Sequence, residues 1–288
     1  MNKTVIVTGA DYNHTGFAIA RRFAREGYDV VLTCITEELV NEAVTHLESE
    51  CPVKVKGFVL DLREKEHSIK LFEELDRQGI FAETLCLNAA DLAIGPDASK
   101  GTPFFEVTPE YVEYILQANV VGNFRLIQQA ALRMKEHGKG SIVFISSNSA
   151  IRPNSNRVPY VTSKGGINAM SKSLAVDLGQ YGIRSNVIMP GTIKTMRWVA
   201  MGDKQITNGT MTPIGDISDF EDIASAVYFL GSDESKNITG AEITVDGGMS
   251  TQIFPEILND YRRAEIAKRE SEKEQKNENN FRCDKGIQ

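Results

Sequence analysis

Cysteine is scarce in this 288-residue chain. Cys34, Cys51, Cys86 and Cys283 form no CxxC pair and show no zinc-ligand spacing. That pattern argues against a zinc module, a dithiol redox site or a disulfide scaffold, and leads us to expect reduced thiols in a cytoplasmic protein. The four histidines, His14, His46, His67 and His137, make no ligand cluster, so no metal site is expected. No block of Lys or Arg interrupts a net charge of −7, which gives no footing for nucleic-acid or membrane-surface binding. No apolar run has transmembrane length, and the first residues enter a strand pattern rather than a signal peptide. No internal repeat is present. What remains is an ordinary globular composition, 41% apolar and 25% charged.

Apolar strands alternate with amphipathic helices. Thr4 to Gly9 reads as a buried strand ending in a turn, followed by a helix from about Gly16 to Glu26 closed by Gly27. Strands are expected at 30–33, 53–60, 84–87, 141–145, 185–189 and 241–245, with helices near 37–50, 64–78, 109–138, 160–179 and 219–230. This order predicts an α/β fold, a doubly wound Rossmann-type parallel sheet between two helical layers, in one domain over 1–250. Residues 251–288 are polar and charged. They read as a solvent-exposed helix from Pro255 to about Lys276 that frays into a disordered end.

Ligands in such folds bind at the carboxyl ends of the strands. Asp61, Asn88, Ser147 and Gly191 all fall at such ends. Tyr160 and Lys164 lie one helical turn apart, and Ser147 lies thirteen residues before the tyrosine. A nearby ammonium stabilises a phenolate and lowers its pKa, and a serine hydroxyl can hold a carbonyl oxygen against the tyrosine. That machinery suits proton transfer to a carbonyl that accepts a hydride.

The turn Thr8-Gly9-Ala10-Asp11-Tyr12-Asn13-His14-Thr15-Gly16-Phe17-Ala18 joins the first strand to the first helix, where a Gly-rich loop can cradle a pyrophosphate. An acid for the adenosine ribose is often found about 20 residues after the first glycine. Counting leads to Asp29, but Asp29 starts the second strand and so lies at the wrong end of the sheet. The strand ends in Thr33-Cys34-Ile35-Thr36, without an acid for two hydroxyls or an arginine for a 2′-phosphate. Glu37 and Glu38 nearby favour NAD, with NADP not excluded.

From residue 3 to about 250 the chain resembles the short-chain dehydrogenase/reductase family. The resemblance rests on Thr8-Gly9 with Gly16, Asp61, Asn88-Ala89-Ala90, Asn119, Ser147, Tyr160 with Lys164, Pro190-Gly191 with Thr195, and Asp246-Gly247-Gly248, in that order. It implies NAD(P)-dependent hydride transfer on a carbonyl or secondary alcohol. Tyr160 would be the acid/base, and Lys164 would bind the nicotinamide ribose and lower the tyrosine pKa. Ser147 would orient the carbonyl while Ser146 is structural, and Asn119 would hold a proton-relay water or be an ordinary helix residue. Asp61 would bond the adenine amino group, cap the following helix, or both. Tyr12, His14, Phe17, Leu62 and Ala89 join the expected cofactor contacts. Asn88 would support the central strands beneath the cofactor, Pro190, Gly191 and Ile193 would approach the carboxamide, and Thr195 the phosphates. Asp246 to Gly248 would serve turn geometry and subunit packing. A homotetramer or homodimer is implied, packed through helices 109–138 and 160–179 and through the last strand.

Three features depart from the family pattern. Six residues separate Gly9 from Gly16, with Ala18 in place of the last glycine, Ala90 replaces a glycine, and the stretch near Gly95 to Phe105 is long. The long loop resembles that of enoyl reductases, although the Tyr-x3-Lys spacing is shorter than theirs. A non-catalytic dinucleotide sensor or scaffold is the other alternative. The substrate pocket is expected from residues 91–105, 148–157 and 192–215. Asn148 and Asn154 suit a sugar, polyol or acidic ketone, whereas Met196 and Trp198 suit an acyl chain or steroid.

Overall fold

The structure is a computed structural model, and it describes residues 2–93, 101–196, 198, 211–255 and 258–271. Seven parallel strands form one sheet in the order β3-β2-β1-β4-β5-β6-β7. They are β1 Thr4–Thr8, β2 Asp29–Cys34, β3 Val55–Val59, β4 Thr84–Leu87, β5 Gly140–Ile145, β6 Ile183–Pro190 and β7 Glu242–Val245. The connecting helices are α1 Thr15–Arg25, α2 Glu37–Glu50, α3 Lys65–Arg77, α4 Pro109–Leu116, α5 Asn123–His137, α6 Val158–Gly179 and α7 Phe220–Gly231.

Successive strand residues serve opposite layers. Val5 and Val7 pack with Phe23 of α1, Leu47 of α2 and Val227 of α7. Ile6 packs with Leu75 of α3, Leu126 of α5 and Ile167 of α6. Burial on both faces makes each central strand an unbroken apolar run. It also explains why Asp29 is no ribose ligand. Asp29 pairs with Thr4 at the start of the sheet, and its carboxylate accepts the Lys54 amide.

One element differs from expectation. The helix predicted over 109–138 is interrupted by a π-helical segment, Gln117–Gly122, between α4 and α5. Two tertiary demands meet there. A β-carbon on Gly122 would collide with the Leu62 carbonyl, so this turn presses against the segment after β3. Asn119 is fully buried and committed to partners outside its helix. A π turn inserts one residue and re-aims the side chains around it.

The expected exposed C-terminal helix is present over 258–271, and residues 256–257 and 272–288 of the tail lie outside the described residues. Arg152 anchors the approach to that helix, donating to the carbonyls of Ser250 at 3.0 Å, Met249 at 3.3 Å and Ile253 at 3.4 Å, and to that of Gln252. No helix among the described residues is long and apolar enough to cross a membrane.

Candidate active site

Strand order reverses between β1 and β4, and a cleft of about 580 Å³ opens at the carboxyl ends there. Its floor is tied by one hydroxyl. Thr8 Oγ1 accepts the amides of Asn88 and Ala89, both at 3.0 Å. Asn88 Nδ2 then donates to the Gly9 carbonyl at 2.8 Å, so Asn88 fixes the turn as well as lining the cleft. Gly9 sits at φ +64°, and a β-carbon there would lie 2.9 Å from Ala89 Cα. Gly16 packs into the same corner, where a β-carbon would lie 2.6 Å from Asn88 Nδ2 and closer still to the Gly9 carbonyl. Helix α1 begins at this corner with no side-chain cap and no acid in its first turn. Its first amides therefore present positive partial charge to the cleft. Gly191 closes the opposite wall, where a β-carbon would meet Asp246 Cβ at 2.5 Å. A wall stripped of side chains beside an uncapped helix start fits a dinucleotide pyrophosphate.

The expected cofactor residues divide into two groups. His14, Asp61, Leu62, Ala89, Pro190, Ile193 and Thr195 line the cleft with Gly9, Asn88 and Gly191. Tyr12 and Phe17 turn their side chains away. Phe17 is buried in the core, and Tyr12 lies edge-on to it and stacks on His46 at 3.7 Å. What Phe17 can offer a phosphate is its main-chain amide. Asp61 is not the cap of α3, because that helix starts at Lys65 with Glu64 before it. The Asp61 carboxylate instead accepts the Arg63 amide at 2.9 Å.

At the other end of the cleft lie Ser147, Tyr160 and Lys164. Ser146 Oγ donates to the Lys164 carbonyl at 3.2 Å, a tie between β5 and α6. Ser147, one residue on, reaches the Tyr160 hydroxyl. Lys164 is buried, donates to the Ile145 carbonyl at 2.8 Å, and holds Nζ 5.6 Å from the Tyr160 ring centroid. Burial lowers its pKa to about 8. Burial pushes the Tyr160 phenol up, and the influences working against it are the Ser147 hydroxyl and the Arg157 charge. Both ionisable groups lose hydration in this pocket, so each resists its charged form.

Asn119 lies behind this end rather than in it. Its Oδ1 accepts the Asp91 amide at 2.7 Å, and its Nδ2 donates to the Asp91 carbonyl and to Ser163 Oγ at 2.8 and 3.0 Å. The substrate candidates are dispersed. Asn148 turns to Asp246 Oδ2 at 3.5 Å, and Asn154 is exposed with Nδ2 at 3.5 Å from Ser149. Met196 is exposed, and the Trp198 amide donates to Thr195 Oγ1 at 3.1 Å. Residues 94–100 and 199–210, parts of the expected pocket, lie outside the described residues.

Sequence reasoning gave no role to Asp11 and Arg63, which the structure brings to the cleft beside Asp91 and Arg157 of the expected pocket segments. Asp11, Arg63 and Asp91 line it, with Arg63 and Asp91 paired at 2.5 Å. Arg157 stacks its guanidinium 4.7 Å from the Tyr160 centroid and donates to the Leu92 carbonyl at 2.6 Å.

Fold and cleft together define a dinucleotide-dependent oxidoreductase. A family model described as enoyl-(acyl carrier protein) reductase matches residues 10–250. A 3alpha-hydroxysteroid dehydrogenase of Mediterraneibacter gnavus is 32% identical over 248 residues, covering 85% of this chain and 96% of that protein. A short-chain dehydrogenase/reductase-family oxidoreductase from Burkholderia thailandensis superposes with a TM-score of 0.77 at 26% identity, covering 88% of this chain and 94% of the other. An NAD+-bound xylitol dehydrogenase does so with a TM-score of 0.76 at 25% identity, over 85% and 98%. The chain belongs to the short-chain dehydrogenase/reductase family. It is an NAD(P)-dependent oxidoreductase of alcohol and carbonyl substrates.

Proposed function

We propose that Tyr160 exchanges the proton at the substrate oxygen and that Ser147 holds that oxygen, in the oxidation or reduction of a hydroxy acid or acidic sugar. The bound nicotinamide would supply or accept the hydride. The observation that carries the substrate class is Arg157. It is stacked on Tyr160 at the cleft mouth and joins none of the ion pairs among the described residues. A guanidinium so placed can pair a substrate carboxylate while its field favours the tyrosinate. Lys164 would hold the nicotinamide ribose beneath the tyrosine, and Asn119 acts on the site by fixing Asp91 and Ser163. Gly9, Gly16, the first amides of α1 and Thr195 would hold the pyrophosphate, and Asp61 and Leu62 the adenine.

Tyr160→Phe tests the chemistry. The variant is expected to bind cofactor with unchanged affinity and to lose turnover, whereas unchanged turnover would refute the role. A screen of matched ketones with and without a carboxylate tests the substrate class. Preference for the acid that vanishes in Arg157→Gln supports it, and activity on enoyl thioesters alone would replace it.

The same proposal includes one catalytic domain over 1–250 with a C-terminal extension, a cytoplasmic location and a homotetramer or homodimer. Three buried free cysteines accord with a reducing compartment. Exposed Tyr114, Phe124, Leu132 and Val176 on α4, α5 and α6 supply apolar surface for self-association.

A further inference from the structure

The end of β2 offers nothing to a ribose. Cys34 is buried there, and Ile35, which follows, is exposed and apolar. Both line the cleft, and so does Asp11 from the loop after β1. The loop brings Asp11 to this place because the Ala10 amide donates to the Thr33 carbonyl at 2.9 Å, clamping the loop onto the last turn of β2. Asp11 Oδ1 is shielded from solvent and has no hydrogen-bond partner. Asp11 also joins none of the ion pairs among the described residues. Its neighbour Cys34 is raised to about 12 by burial, by a thiol hydrogen bond to the Asp11 carboxylate and by that charge, so the thiol stays neutral and Oδ1 is the Asp11 oxygen left without a partner. Glu42 adds to the negative field on that thiol, and Glu37 and Glu38 open α2 close by.

We propose that Asp11, from the loop after β1, reads the adenosine ribose in place of an acid at the end of β2 and sets a preference for NAD(H) over NADP(H). This rests on the dinucleotide site described above. A buried carboxylate oxygen without a partner costs stability unless a donor reaches it, and a ribose hydroxyl supplies such a donor. A 2′-phosphate in the same place would meet a carboxylate with no paired cation, and like charges in a partly desolvated site repel strongly.

The test reads binding, not turnover. Wild type, Asp11→Asn and Asp11→Ser are titrated with NADH and NADPH by nicotinamide fluorescence. Thermal protection by ADP-ribose and by its 2′-phosphate is measured alongside. Asp11→Asn keeps the shape and removes the charge. Wild type is expected to favour NADH and ADP-ribose. Both variants should lose NADH affinity and gain NADPH affinity, shifting the ratio roughly tenfold to hundredfold. A ratio unchanged in variants that still bind would overturn the assignment while leaving the dinucleotide site intact. A wild type favouring NADPH would do the same. A wild type protected by neither nucleotide would overturn the dinucleotide site itself. A variant protected by neither, beside a protected wild type, would show that Asp11 maintains the loop's fold and would overturn the reading role.

Discussion

Gly16→Ala is the sharpest perturbation of the cofactor loop. The added β-carbon would lie 2.6 Å from Asn88 Nδ2 and nearer still to the Gly9 carbonyl, the two atoms joined by the bond that fixes the turn. Neither is the free end of a flexible chain. Gly9 is held by its neighbours in the turn, and Asn88 is held at its amide by Thr8. Relief requires one partner to retreat, which breaks the Asn88–Gly9 hydrogen bond. Overpacking costs about 1–3 kcal/mol, and the lost hydrogen bond adds about 0.5–1.5 kcal/mol. The expected total of about 2–4 kcal/mol corresponds to a fall in Tm of roughly 5–15 °C. Cofactor affinity should fall further, because Gly9 and Asn88 line the cleft. Gly27→Ala is the control. Its φ of +84° strains an alanine, but a β-carbon there meets nothing within 4 Å. It should cost about 1 kcal/mol and leave NADH binding unchanged. Melting curves and fluorescence titrations of both variants decide the matter. If Gly16→Ala binds as wild type does, the close corner is not what shapes the phosphate site.

Arg157→Gln removes a positive charge from beside Tyr160, so the tyrosine pKa should move further up. The limb of the kcat/KM profile that requires tyrosinate in alcohol oxidation should move to higher pH, and an unmoved profile would contradict the assignment. Lys164 has its pKa lowered from 10.5 to about 8, so between those values the folded protein binds fewer protons than the unfolded chain. Stability therefore rises with pH across that window. A penalty on the order of 3 kcal/mol is full below pH 8 and relieved above about 10.5. Lys164→Met removes it and loses the bond to Ile145. The variant should melt higher than wild type at pH 7, with the gap closing by pH 10.5, and a lower Tm at pH 7 would refute this. Thr8→Val leaves the Asn88 and Ala89 amides without their shared acceptor. It should destabilise the protein by about 2–4 kcal/mol, and a melting curve matching wild type would show that the floor is tied elsewhere.

The strands were legible because each central one is buried on both faces, which forces continuous apolar runs such as Val5-Ile6-Val7. Helix ends were legible where the chemistry is local. Thr36 caps α2 through the Leu39 amide, and Gly138 ends α5 at φ +65°. The π segment was not legible, because nothing in its own residues departs from a helical pattern. Its cause lies in Leu62 and Asp91, far away in the chain. The Arg63–Asp91 pair was hidden for the same reason, because it spans a separation that leaves no periodic trace. Spacing reports a neighbour's charge and is silent about burial, which pushes the Tyr160 phenol up.

The lengthened loop shows how an insertion can leave a site intact. Six residues part Gly9 from Gly16, yet Gly16 still packs against the Gly9 carbonyl. The surplus is folded outward. The His14 amide returns to the Asp11 carbonyl at 3.2 Å, and Asn13 takes φ +59°, a conformation asparagine tolerates better than most residues. Tyr12 then anchors the bulge by packing on Phe17 of α1 and His46 of α2. The extra length therefore adds contacts to two helices and does not loosen the turn. Asp11, ahead of the surplus, stays at the end of β2 because the Ala10 amide holds the loop to the Thr33 carbonyl. Shortening the loop between Asp11 and Thr15 should then release Tyr12 from His46 and blur nucleotide preference, even with Gly9 and Gly16 in place. A shortened loop that keeps both the preference and the melting temperature would separate the two.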